Sequence, residues 1–161
     1  MPETLRVRKD VANDEGERLM DAKVETQPTY STFRYTKPDD LPGGKAIVHL
    51  AKSDIIRGRV QIVREGGENN LHSHKGMDGF WMVLKGRVRF YGPGDEVIGE
   101  FGPNEGILLP RGAQYWFEKT GEGDLEILQM AAFEKVVKLE RVDHQPQKLD
   151  PTSVKHARAA R

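Results

Sequence analysis

The stretch that decides the reading runs Gly66-Gly67-Glu68-Asn69-Asn70-Leu71-His72-Ser73-His74-Lys75-Gly76-Met77-Asp78-Gly79-Phe80-Trp81-Met82-Val83-Leu84-Lys85-Gly86. Two histidines stand two apart, between glycine-rich segments, and a five-residue apolar run, Phe80 to Leu84, follows them. On an extended backbone side chains repeat with period two, so His72 and His74 face the same way. Two neutral imidazoles aimed into one space are a common beginning of a metal site. A solvated pair on a loop has the same sequence, so the neighbourhood has to decide.

Working outward from there, short apolar stretches recur with turn residues between them. They are Ala46 to Leu50, Val60 to Val63, Phe80 to Leu84, Val88 to Tyr91, Val97 to Phe101, Ile107 to Leu109, Tyr115 to Phe117 and Leu125 to Ala132. The punctuation includes Gly92-Pro93-Gly94-Asp95, Gly102-Pro103-Asn104 and Gly121-Glu122-Gly123. Many short strands at regular spacing, separated by Gly/Pro turns, predict an all-β sandwich or barrel.

Against this pattern the quoted stretch resembles the first motif of the cupin family, in which a Gly, a His-x-His pair, a Glu and a second Gly recur at fixed spacing. Gly66, His72, His74 and Gly86 fall on those positions; the Glu position holds Gly79, with a carboxylate, Asp78, one residue earlier. The second motif of the family is matched by Asn104 to Lys119, which keeps Pro110 and Gly112. There Asn104 stands for a Gly, Tyr115 for the metal-binding His and Lys119 for an Asn. The resemblance implies a double-stranded β-helix, the jelly-roll barrel called RmlC-like. It also implies a metal centre of His72, His74 and, with a loop shortened by one residue, Asp78. Two imidazoles and a carboxylate suit Fe(II), and also Mn, Ni, Co or Zn.

Tyr115, in place of a His, reads in three ways: a hydrogen-bond donor or general acid facing the pocket, a buried tyrosine satisfied by backbone, or a metal-bound phenolate. Trp81 and Phe117 have the parity to face a pocket and to stack on a ligand, and buried core aromatics have the same pattern. Arg57/Arg59 and Arg87/Arg89 are period-two pairs. Facing in they would grip a carboxylate or phosphate; for Arg87/Arg89 the apolar Val88 and Phe90 favour the outward reading.

Composition bounds the rest. The chain has 161 residues, 31% of them charged, with 25 acidic and 25 basic side chains and no cysteine, and its mean hydropathy is -0.65. Disulfides and thiolate ligands are excluded, and no net field gathers nucleic acid or membrane. No apolar run approaches membrane-spanning length, and Met1 to Asp10 lacks a secretory core, so a soluble cytoplasmic protein is expected. Residues 1–25 read as an N-terminal arm and 26–140 as the barrel. Residues 141–161 read as a solvated basic tail, with loose helical turns at Val11 to Lys23 and Val154 to Ala160. Leu5, Val7 and the strand-like Thr29 to Tyr35 offer an edge for a homodimer.

Three functions fit: a metal-dependent oxygenase, lyase or isomerase acting on a small organic molecule; a non-catalytic cupin that binds a small ligand or sugar derivative; and a metal-free sugar-nucleotide epimerase or isomerase with His72 as base and Tyr115 as acid. No nucleophile elbow or phosphate-cradling loop is present.

Overall fold

Among the described residues eleven strands form, eight of them on the apolar stretches read above. A computed structural model describes residues 28–161. Its strands are β1 (Lys45–Lys52), β2 (Ile56–Val63), β3 (His72–Lys75), β4 (Met77–Lys85), β5 (Arg87–Tyr91), β6 (Val97–Phe101), β7 (Gly106–Leu109), β8 (Trp116–Thr120), β9 (Leu125–Phe133), β10 (Glu140–Asp143) and β11 (Lys155–Arg158). A six-stranded sheet in the order β11-β1-β2-β9-β4-β7 forms one wall. The opposite wall is made of β6-β5-β8 and β10-β3. Reciprocal backbone hydrogen bonds between His72 and Tyr115, 3.1 and 2.9 Å, stitch these two small sheets together. The architecture is an all-β double-stranded β-helix.

The core lies between the walls. Val63, Trp81, Val83, Leu109, Leu125 and Ile127 from the large sheet meet Val88, Phe90, Tyr115 and Phe117 from the small ones, all buried. Full burial of each large apolar side chain contributes about 1.5–3 kcal/mol, so this layer dominates the fold. The aromatic rings pack edge to face, with Trp81 and Phe117 centroids 5.2 Å apart, the arrangement their quadrupoles favour. Phe117 is therefore core: it supports Trp81 from beneath and is not part of the cavity wall. Trp116, of opposite parity, stacks on Tyr91 at 4.1 Å and donates its indole N–H to Asp95.

The outer face of β1 and β2 carries Ala46, Val48 and Ile62, covered by Tyr35, Leu41, Ala157 and Ala159. This covering corrects the expectation for the C-terminus. Residues 141–161 are not a solvated tail, and Val154 to Ala160 is not helical. β10 pairs with β3, and β11 adds a parallel edge to β1 with Ala46 opposite Lys155. Alternation of small apolar Ala157 and Ala159 with His156 and Arg158 is a strand pattern hidden by its charge. Thr29 to Tyr35 contributes an isolated bridge, Arg34 to Ala160, in place of a strand. The N-terminal arm, its possible strand at Leu5 and Val7 and the turn at Val11 to Lys23 lie outside the described residues. Among the described residues no helix is long and apolar enough to cross a membrane.

Candidate functional site

The two halves of the site are held by the two sequence motifs. Gly112, in the left-handed conformation at φ +82°, donates its N–H to the His74 carbonyl at 2.8 Å. Only glycine takes that conformation without strain, and the turn it makes ties the second motif to the first. Asn104 adopts φ +68°, which asparagine tolerates better than most residues.

A cavity of about 300 Å³ opens between the walls at this end of the barrel, at the lower end of the range for small-molecule sites, about 300–1,000 Å³. His72, His74 and Tyr115 line it from the small sheets, with Arg141 of β10 beside His74. The ring centroids of His72 and His74 are 5.0 Å apart and those of His72 and Tyr115 4.5 Å. Lys45, Arg59, Gln61, Gln129 and Trp81 line it from the six-stranded sheet, and Gln147, Leu149, Pro151 and Val154 form part of the lining from the C-terminal segment.

Backbone geometry sets the histidines. His72 Nδ1 lies 2.7 Å from the Asn70 carbonyl, and a carbonyl only accepts, so Nδ1 carries the proton and Nε2 keeps its lone pair. Burial, reinforced by Arg141 and His74, pushes His72 down to about 3. Burial, with Arg141, Arg59 and Arg57, pushes His74 down to about 4. Both imidazoles are neutral at physiological pH. Burial pushes the Tyr115 phenol above its ordinary value, and Arg59 and Arg141 only partly offset this. Tyr115 stays protonated and serves as a donor, not as a phenolate.

The cationic side follows from strand parity. Lys45 and Ile47 of β1, Arg59 and Gln61 of β2, and Gln129 of β9 all lie on the inner face, where Arg59 is opposite Gln129 and Gln129 opposite Trp81. Arg59 Nε donates to Gln129 Oε1, which also accepts from Gln61 Nε2 at 3.0 Å. Arg141 of β10 is opposite His74 and donates to Asp143 and Asn70. Among the described residues no carboxylate pairs with Lys45 or Arg59. Burial, with Arg59 and Arg141 nearby, lowers the Lys45 ammonium to about 7, while Arg59, lowered to about 10 by burial first and Arg57 second, remains charged.

Asp78 is not in the site. Its carboxylate is on the outside of the barrel, where it accepts from the Arg111 backbone N–H at 2.8 Å and from the Arg111 side chain. Strand parity on β4 explains this: Gly79 and Trp81 face inward, so Asp78 faces outward. The Glu position is thus empty at Gly79, and Trp81 has moved into it. A Cβ at Gly79 would meet Trp81 Nε1 at 3.1 Å. That indole N–H is buried without a partner, as is Gln61 Oε1.

These residues do not fit the metal that the fold family implies. A divalent cation needs anionic or lone-pair donors in number, and here a donor N–H replaces the carboxylate. Among the described residues no three His, Cys, Asp or Glu side chains gather, and the opposite side of the cavity is cationic.

Sequence reasoning brought His72, His74, Tyr115 and Trp81 together and left Arg59 open between two readings. It missed Lys45, Gln61, Gln129 and Arg141. The available signal was polar residues at inward parity: Arg59 and Gln61 share a face with Val63, and Gln129 with Ile127. Arg87 and Arg89 face outward and pair with Glu100 at 3.3 and 2.8 Å.

No protein-family model matches the sequence, and no curated protein sequence does. Solved structures do match. KdgF from Halomonas sp. superposes with a TM-score of 0.57 at 16% identity, over 67% of this chain and 97% of that one. An RmlC-like cupin from Desulfovibrio desulfuricans gives 0.50 at 19% identity, over 66% and 97%. The Cnp3 cupin domain of Schizosaccharomyces pombe gives 0.51 at 15%, over 56% of this chain, which spans 65% of that domain's length. At these identities the likeness is one of fold.

Proposed function

We propose that this chain, which has the cupin fold, uses its barrel cavity to bind a small organic anion, a carboxylate bearing hydroxyl or carbonyl groups, without a metal ion. The observation that carries this reading is the charge of the cavity. Arg59 and Lys45 face it with no carboxylate partner among the described residues, and a buried, unpaired charge is costly until an anion answers it. The planar fork of a guanidinium matches a carboxylate in particular. The free indole N–H of Trp81 and the free amide oxygen of Gln61 add one donor and one acceptor, which suits a ligand with a hydroxyl group. Neutral His72 Nε2 accepts and protonated Tyr115 donates, so these two retain the parts of a proton acceptor and a proton donor beside a bound hydroxy or oxo acid.

Calorimetric titration of the full chain at neutral pH with hydroxy acids from lactate to gluconate, beside the uncharged alcohols of matching length, tests it. The acids bind and the alcohols do not. Arg59→Gln weakens the acids by at least about tenfold, the scale of a lost charge-assisted hydrogen bond. Equal affinity for acids and alcohols, or unchanged affinity in Arg59→Gln, would overturn the reading.

A further inference from the structure

Lys45 stands at the start of β1, 9% exposed, with its side chain lining the cavity. Its ammonium has no hydrogen-bond or ion-pair partner among the described residues, and it lies over the Phe117 ring, 5.3 Å from the centroid. Lysines almost never lie this deep unpaired. A structural lysine would be matched with a carboxylate or directed to solvent. This one is instead set among groups that discourage its proton. Arg59 of β2, His72 and His74 of β3, Arg141 of β10, and Tyr115 at the strand junction line the same cavity. The first and fourth of these are cations, the histidines are neutral, and the phenol is protonated.

From this placement we infer that Lys45 is a nucleophile that forms an imine with the carbonyl group of a 2-oxo acid whose carboxylate is held by Arg59. The inference rests on the anion-binding reading above and assigns the cavity a covalent step. A lysine amine in an apolar pocket beside other cations is the usual means of activating such a nucleophile. The Nζ lone pair adds to the ketone carbon, and the ketone oxygen takes one nitrogen proton, giving a carbinolamine. The carbon–oxygen bond then breaks, the hydroxyl leaves as water with the second nitrogen proton, and a carbon–nitrogen double bond remains. Amine and ketone become imine and water, with no oxidant or reductant. Tyr115, a protonated donor in the same cavity, relays that second proton, giving its own to the departing oxygen and taking the nitrogen's in return. The free amide oxygen of Gln61 is an acceptor for the carbinolamine hydroxyl.

The test is reductive trapping. The full chain is incubated with pyruvate and cyanoborohydride, and adducts are read by intact mass and located by peptide mapping. One reduced adduct forms, on Lys45, at least about tenfold faster than on any surface lysine. Its rate rises with pH around a midpoint near 7, the value lowered by burial and by Arg59 and Arg141. In Lys45→Arg the adduct is lost. In Arg59→Gln, which keeps the nucleophile, labelling of Lys45 falls toward the surface rate while the surface lysines are unaffected. Circular dichroism shows whether either variant is folded, and the wild-type adduct map and pH profile decide the question if Lys45→Arg is not. Labelling spread over exposed lysines, or a midpoint at the ordinary lysine value, overturns the proposal. Lactate, which has no ketone, separates the two readings. If lactate binds through Arg59 and pyruvate leaves no adduct, the imine is wrong and the anion site stands; if neither binds, both fall.

Discussion

The two sides of the cavity differ in how they are made and in what they do. On one side His72, His74 and Tyr115 come from two adjacent segments joined by backbone hydrogen bonds, and their rings lie within 4.5–6.5 Å of one another. On the other side Lys45, Arg59 and Gln129 come from three separate strands of the six-stranded sheet, β1, β2 and β9. The first side, taken alone, is the beginning of a metal centre. The second makes that outcome unfavourable: burial is the main reason both imidazoles stay neutral, and the cations that add to it, Lys45 at His72 and Arg59 at His74, repel a metal ion as they repel a proton. A His-x-His pair therefore does not establish a metal site when the facing strands carry cations.

Restoring the missing carboxylate tests this contrast most strongly. Wild-type protein shows no rise in melting temperature with Mn, Fe, Co, Ni or Zn, whereas Gly79→Glu combined with Trp81→Leu, which clears the indole from that position, shows one that grows with metal concentration. Gly79→Glu alone is destabilised by about 1–3 kcal/mol through overpacking, since its Cβ meets Trp81 Nε1 at 3.1 Å. A metal-dependent shift in the wild type would break the comparison, and histidine would then outweigh the cationic side.

The second way to sharpen it is acid. An ordinary histidine titrates near 6.5, and in the fold His72 and His74 are lowered to about 3 and about 4. For a base with a depressed folded pKa, the unfolded chain binds more protons between the two values, so stability is full above about 6.5 and is lost as pH falls toward about 3. Chemical denaturation from neutral pH downward gives a slope steeper than one proton accounts for. In His72→Gln that slope falls. Histidine NMR signals from these two rings that move between about pH 7 and pH 6, where an ordinary imidazole titrates, would show that burial and the nearby cations do not hold them neutral.

The smallest effect is at Asp78. Its carboxylate pairs with Arg111 on the outside, and an exposed pair of this kind is worth little. Asp78→Asn leaves lactate affinity and pyruvate trapping unchanged, with a slight decrease in melting temperature. A clear loss of binding would mean that the β4 register is wrong.

Much of this molecule is legible in its sequence. Eight apolar stretches became strands, because period-two alternation and Gly/Pro turns act locally and carry their own information. Gly112 and the His-x-His pair were legible for the same reason: one turn residue or one strand face is enough to place them. The C-terminal strand β11 was not, since Lys155, His156 and Arg158 conceal two small alanines whose role appears only when β1 is beside them. Nor could the sequence decide between Asp78 and an empty position. Adjacent residues on a strand face opposite sides, and the register of β4 against β9, with Asp78 opposite Ala132 and Trp81 opposite Gln129, fixed which one faced the cavity. The charge of the site depended on tertiary structure most of all. Lys45 and Arg141 are 96 positions apart, and each alone is an ordinary basic residue on a short strand. Only the closing of the sheets brings them to one cavity, where Lys45 is buried while Arg141 stays exposed and paired with Asp143, because the cost of a charge depends on what surrounds it and not on its neighbours in the chain.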